Sequence, residues 1–168
     1  MAYRAAMAGP LLVRAAHVGD AAALADLHVR AWRETYAEEV PEDVYARMAE
    51  TGPDRWQRRL EEPGGTTTWV GVERETGELA GFATAEATGP GDLRPLRLSS
   101  LYVLSRWHGQ GLGQALLEHA VGDAPAYLWV AEGNERAQRF YERNGFALDG
   151  ARQVEEQWGG IADLRMVR

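Results

Sequence analysis

Hydrophobic and polar positions alternate at two periods along this chain, and the changes of period mark out its elements. Leu11 to Ala15 is a short apolar run that predicts a strand. After Asp20, a plausible helix N-cap, Leu24, Leu27, Ala31 and Thr35 recur at helical spacing. His28, Trp32 and Tyr36 lie on an adjacent line at spacing four. Pro41 suits the first position of a second helix through Val44 and Met48; Gly52-Pro53 should interrupt it, and Trp56 to Leu60 reads as another helical piece. Pro63-Gly64-Gly65 is a turn, Thr66 to Val72 a strand, Glu75 to Glu78 a hairpin connection, and Leu79 to Ala85 the returning strand. A Gly- and Pro-containing loop, Thr88 to Pro95, precedes another strand ending near Leu104.

A helix that starts inside a glycine run follows, with Leu112, Ala115 and Leu116 at helical spacing, and Gly122 and Pro125 end it. Tyr127 to Ala131 predicts a buried strand. Asn134 caps a helix carrying Ala137, Phe140 and Tyr141 that stops at Asn144-Gly145. Phe146 to Leu148 and Ile161 to Val167 are the last strands. The order is β-α-α-β-β-β-α-β-α-β-β, an α+β pattern with one mostly antiparallel sheet. No repeat or linker divides residues 1–168, so one domain is expected, with 1–10 as a loose lead-in.

Composition narrows the chemistry. With no cysteine, the chain has no disulfide, thiolate metal site or cysteine nucleophile. The net charge of -7 argues against a nucleic-acid partner. No apolar run reaches membrane-spanning length and no signal peptide is read, so a cytoplasmic protein without a membrane partner is expected. His17, His28, His108 and His119 lack metal-ligand spacing, and no metal is expected.

The chemistry-bearing stretch is Leu98 to Leu117, LSSLYVLSRWHGQGLGQALL. Gly109, Gly111 and Gly113 sit at every second position where strand gives way to helix. Glycine lets the backbone bend sharply and approach a ligand closely. The amides of the helix's first turn lack internal partners and carry partial positive charge. A diphosphate on the amides of Gly109 to Gln114 is the reading that uses both features. A dinucleotide fingerprint would need glycine at Gln114 or Leu116, and a P-loop needs a lysine that the chain lacks.

His108-Gly109-Gln110-Gly111-Leu112-Gly113 resembles the acetyl-CoA motif of the GCN5-related N-acetyltransferase (GNAT) superfamily, with His108 where relatives more often carry Gln or Arg. Asn134-x-x-Ala137-x-x-Phe140-Tyr141-x-x-x-Gly145-Phe146 resembles that superfamily's second signature at every specified position. The resemblance runs from about Leu11 to the end. It implies the GNAT fold, with central strands splayed around acetyl-CoA as co-substrate. It also implies that the backbone of Leu101, Tyr102 and Val103 pairs with the pantetheine arm. Seven residues separate Asn134 from Tyr141, nearly two helical turns with a residual of about 20°. On one face, Asn134 could bond the pantetheine amides and Tyr141 could reach the thioester sulfur and steady the leaving thiolate.

The acceptor side is less defined. Leu27 to Tyr36 resembles the first helix of one large bacterial branch, which makes Trp32 and Tyr36, with Ser100 and more weakly Trp158, candidate pocket residues. Many relatives place a glutamate on the strand before the glycine turn, where this chain has Arg97, Ser99 and Ser100. Glu34, Glu38 and Glu86 are alternative bases, with no choice among them. The function implied is transfer of an acetyl group to a primary amine by direct attack in a ternary complex. The acceptor would be a small-molecule amine, or alternatively a protein or peptide N-terminus. A CoA-binding regulatory module is the non-enzymatic alternative, and a homodimer is compatible with either.

Overall fold

The computed structural model describes residues 9–37 and 39–168. The first eight residues of the expected lead-in, and Glu38 among the candidate bases, lie outside them. Eleven main elements follow one another: β1 (Leu11–Ala15), α1 (Ala21–Tyr36), α2 (Glu42–Glu61), β2 (Thr66–Glu73), β3 (Leu79–Ala87), β4 (Leu96–Val103), α3 (Leu112–Ala120), β5 (Ala126–Ala131), α4 (Glu135–Arg143), β6 (Ala147–Glu155) and β7 (Ile161–Val167). Short 3₁₀ turns at Val18–Asp20, Ser105–Trp107 and Glu156–Trp158 join some of them.

The strands form one seven-stranded sheet in the order β1-β2-β3-β4-β5-β7-β6. Only β4 and β5 run parallel. Successive strand side chains point to opposite faces, and β3 shows the consequence. Phe82 packs with Leu24, Leu27 and Ala31 of α1, whereas Ala83 packs with Leu112, Leu116 and Leu117 of α3. Each fully buried leucine in these layers contributes about 1.5–3 kcal/mol of burial free energy.

Three expectations are corrected. Gly52-Pro53 does not break α2, which continues to Glu61. Gly52 is where α2 crosses α1, since a Cβ there would stand 3.0 Å from Ala25 Cβ. Pro53 faces solvent, where its ring displaces no packing. Asp20 does not cap α1, because the chain is already helical there (φ -84°, ψ -7°). Its carboxylate instead accepts hydrogen bonds from both terminal nitrogens of Arg14, at 2.7 and 2.8 Å, and from His17 N at 2.9 Å. The strand expected at Phe146–Leu148 is the long edge strand β6, which is exposed on much of its length and so carries little hydrophobic period.

Strand β4 carries a bulge. Thr84 pairs with Ser100 and Ala85 with Leu98, so Ser99 is an extra residue in the ladder. The bulge resets the alternation. Leu98 and Leu101 therefore share the α3 face despite their odd spacing, and Tyr102 turns toward α1.

Candidate active site

The end of β4 builds the first wall. Beyond Leu104 the chain turns through Ser105–Trp107, with Trp107 N bonded to Leu104 O at 2.9 Å and His108 N to Ser105 O at 3.0 Å. Gly109 and Gly111 then adopt φ of 75° and 80°, a region L-residues enter only at a cost. Gly111 is the N-cap of α3 and has no side chain with which to cap it. The first-turn amides of Leu112, Gly113 and Gln114 are thus left for a ligand.

The second wall follows from strand pairing. β4 and β5 are in register only from Leu96–Ala126 to Leu98–Leu128. Past that point the two parallel strands part, and the backbone of Leu101, Tyr102 and Val103 has no partner on the β5 side. A cavity of about 620 Å³ lies in this region. It is lined by Leu101, Tyr102, Val103, His108, Gly109, Gly111, Leu112, Gly113 and Gln114 on one side and by Tyr141 on the α4 side. The space, the bare backbone and the uncapped helix start together suit an elongated phosphate-bearing ligand such as a CoA thioester.

Tyr102 and Tyr141 line the cavity, and Tyr36 lies behind them. Tyr141 is 7% exposed, and burial raises its phenol above the ordinary range, with a further contribution from Tyr36. Tyr102 is pushed up to about 12, chiefly by burial and against a lowering hydrogen bond with Tyr36. Burial also raises Tyr36, as do the charge of and the hydrogen bond to Tyr102. All three remain protonated near neutrality, so they can donate hydrogen bonds but not accept a substrate's proton.

Several expected site residues stand elsewhere. Asn134 does not line the cavity. It precedes α4 with φ -93° and ψ 67°, so helical spacing to Tyr141 does not extend to it, and its Oδ1 accepts from Ala137 N at 3.0 Å as an N-cap. Gln110 is exposed and also off the lining; its side chain turns back to Arg106 O at 3.4 Å. Trp32, Tyr36 and Ser100 are not in the lining either. Trp32 and Tyr36 belong to a neighbouring aromatic layer with Tyr45, Tyr102 and Trp158, the Trp32 ring lying 5.2 Å from those of Tyr36 and Trp158. Glu34 accepts from Ser105 N at 2.7 Å and so ties α1 to the turn after β4. Glu86 pairs across from Arg97, at the opposite end of β4 from Val103.

Thr35, Trp107, Arg136, Arg143 and Asn144, none of them among the expected site residues, also line the cavity, as do Ala137 and Phe140 of the second signature. A signal existed for the α4 group. Positions 136, 140, 143 and 144 recur at spacings of three and four around Tyr141 and mark one helix face. Arg136 also contacts His108, Nη1 to Nδ1 at 2.5 Å, and His108 Nε2 lies 2.8 Å from Val103 O.

The family model described as "Acetyltransferase (GNAT) family" matches residues 22–146. The chain belongs to the GNAT acetyltransferase family. An uncharacterized N-acetyltransferase of Mycobacterium tuberculosis is 36% identical over 85 residues, 47% of this chain and 53% of that protein. The chain thus spans about half the length of the first curated relatives it matches. A second M. tuberculosis protein, named a probable N-acetyltransferase, is 29% identical over 150 residues, 82% of this chain and 80% of its own. Among solved structures, the PaiA N-acetyltransferase of Thermoplasma acidophilum in complex with coenzyme A superposes with a TM-score of 0.69 at 19% identity, covering 92% of this chain and 97% of that one. At that identity the likeness shows a shared GNAT fold.

Proposed function

We propose that this GNAT protein is an acetyl-CoA-dependent N-acetyltransferase that moves the acetyl group to a primary amine by direct attack in a ternary complex. One observation carries the reading: an uncapped, glycine-built helix start and an unpaired strand edge border the same cavity, with a protonated tyrosine at its inner end. The amides of Leu112 to Gln114 hold the pyrophosphate. The free edge of Leu101 to Val103 aligns the pantetheine arm as an added strand would.

When bound, the CoA thioester supplies the activated acetyl group. Tyr141 then acts by hydrogen bonding to the sulfur as negative charge develops there. Burial suits it to this role, because a phenol held well above its ordinary range stays protonated until the charge appears. Arg136 and Arg143 at the cavity rim offer positive charge to the cofactor's remaining phosphate.

Thermal denaturation with and without acetyl-CoA, followed by thiol release across a panel of amines, tests the proposal. Stabilisation by acetyl-CoA together with amine-dependent thiol release is the expected result. Stabilisation without thiol release from any amine, small or peptidic, would assign the cavity to a binding module instead.

A further inference from the structure

The phenols around the cavity cannot take a proton, and β4 offers no carboxylate beside them. Strand β7 supplies one that the sequence did not single out. Asp163 pairs with Ala131 of β5 and with Gln153 of β6. Ala131 lies three residues beyond Leu128, where β4 and β5 have already separated. Two residues before Asp163, and so on the same face of β7, Ile161 packs into the layer of Trp32, Tyr36, Tyr102 and Trp158. Asp163 therefore faces the aromatic layer that joins the inner end of the cofactor cavity, and its charge acts on the phenols of both Tyr36 and Tyr102.

The charge balance there is unusual. The Gln153 side chain, whose Nε2 donates to Glu155 Oε1 at 2.9 Å, favours the ionised form of Asp163, and Glu155 on β6 repels it. The neighbouring arginines are engaged elsewhere, Arg165 with Asp149 at 2.8 Å and Arg152 with Glu132 at 3.0 Å. Among the described residues no cation forms an ion pair with Asp163. A half-buried carboxylate without a cation is costly to keep ionised, and Asp163 is accordingly raised above the ordinary carboxylate range, first by burial and then by Glu155. The surrounding surface presents carboxylate, phenol and indole, with Trp32 and Trp158 edge to face at 5.2 Å. That combination recognises an ammonium group on an apolar stem.

We propose that Asp163 is the acceptor's carboxylate: it binds the ammonium of the incoming amine and takes the proton that must leave before attack. This rests on the acyl-transfer reading above. Asp163 removes one proton from the ammonium, and the freed lone pair forms the N–C bond to the acetyl carbon. The C–S bond breaks and its electron pair stays on sulfur. The second nitrogen proton leaves to solvent, and the thiolate, steadied by the Tyr141 hydrogen bond, takes one proton from solvent, so amide and thiol are the products. Asp163 returns its proton to solvent.

The test compares wild type with Asp163→Asn and Asp163→Glu. Acceptors are an alkyl diamine, protonated at neutral pH, and trifluoroethylamine and aminoacetonitrile, largely neutral there. Asp163→Asn should bind CoA as wild type does by calorimetry, yet lose about 100-fold or more in kcat/KM on the diamine. It should keep most of its rate on the two neutral acceptors, and Asp163→Glu should recover part of the diamine rate. Equal losses on both kinds of acceptor, or no loss on either, overturn the assignment. If wild type transfers acetyl to no amine, the acyl-transfer reading fails separately. Calorimetry of the diamine with the CoA-loaded protein then decides the role of Asp163. Binding that Asp163→Asn abolishes supports it, and absent or unaltered binding overturns it.

Discussion

Two buried side chains show how burial sets chemistry one residue at a time. Tyr141 lines the cavity with a phenol held above its ordinary range by desolvation. Tyr141→Phe should leave acetyl-CoA affinity within about twofold while lowering kcat by about 100- to 1000-fold, the size of a lost oxyanion-type donor. Equilibrium binding and steady-state rates measured on one preparation check this. His28 is enclosed by Trp32, Trp56, Phe82 and Tyr102, at ring distances of 5.3 to 6.0 Å. Burial, with smaller contributions from Arg55 and Arg59, lowers it to about 3. Unfolded, it would titrate near 6.5, so between these values the unfolded chain binds the extra proton. Stability from this residue is therefore complete above about pH 6.5 and is lost as pH falls toward 3, by up to about 1.4 kcal/mol per pH unit. His28→Leu should flatten that part of the stability profile in urea titrations at stepped pH. An unchanged slope would contradict the neutral, buried state.

Among the elements, the glycine turn and α3 matter most. Gly111 holds φ of 80°, and an alanine forced into that region costs about 1–2 kcal/mol. Gly113 has no such φ, and a Cβ on it would stand 3.9 Å from Phe140 and Val103, at ordinary contact distance. Gly111→Ala should therefore lower Tm and weaken acetyl-CoA binding together. Gly113→Ala should keep Tm and alter binding alone, because its methyl would stand in the cavity lining. Differential scanning fluorimetry with and without cofactor separates the two. The turn was legible in the sequence because positive φ leaves a glycine signature. Asn134 was legible as the cap of α4, but helical spacing to Tyr141 does not carry to a cap whose φ of -93° and ψ of 67° lie outside the helix. The continuity of α2 through Gly52-Pro53 was hidden. Gly52 answers to the α1 crossing at Ala25, a contact made by residues distant in the chain.

For the molecule as a whole, Arg168 gathers elements that the chain visits at different times. Its Nη1 donates to Asn144 O, its Nη2 to Gly122 O and Ala124 O, and its guanidinium lies 4.6 Å from the Phe146 ring centre. The residue thus joins the end of α4 to the connection between α3 and β5, on which both walls of the cavity depend. Arg168→Ala should cost about 2 kcal/mol, from hydrogen bonds to a charged group and the ring contact, read as a lower denaturation midpoint. Retained stability would show that the sheet alone fixes those connections. No helix among the described residues is long and apolar enough to cross a membrane.

The order of strands and helices, the glycine turn and the face of α4 that carries Phe140 and Tyr141 were determined by the sequence alone. Each depends on neighbours within about two turns or one hairpin, where periodicity and backbone preference act directly. The parting of β4 from β5, the meeting of Tyr36, Tyr102 and Tyr141, and the placing of Asp163 near Tyr36 and Tyr102 were decided only by tertiary structure. These residues lie on α1, β4, α4 and β7, and no local preference encodes the distances between them. Their charges and burial arise from packing across the sheet, which exists only once the whole chain has folded.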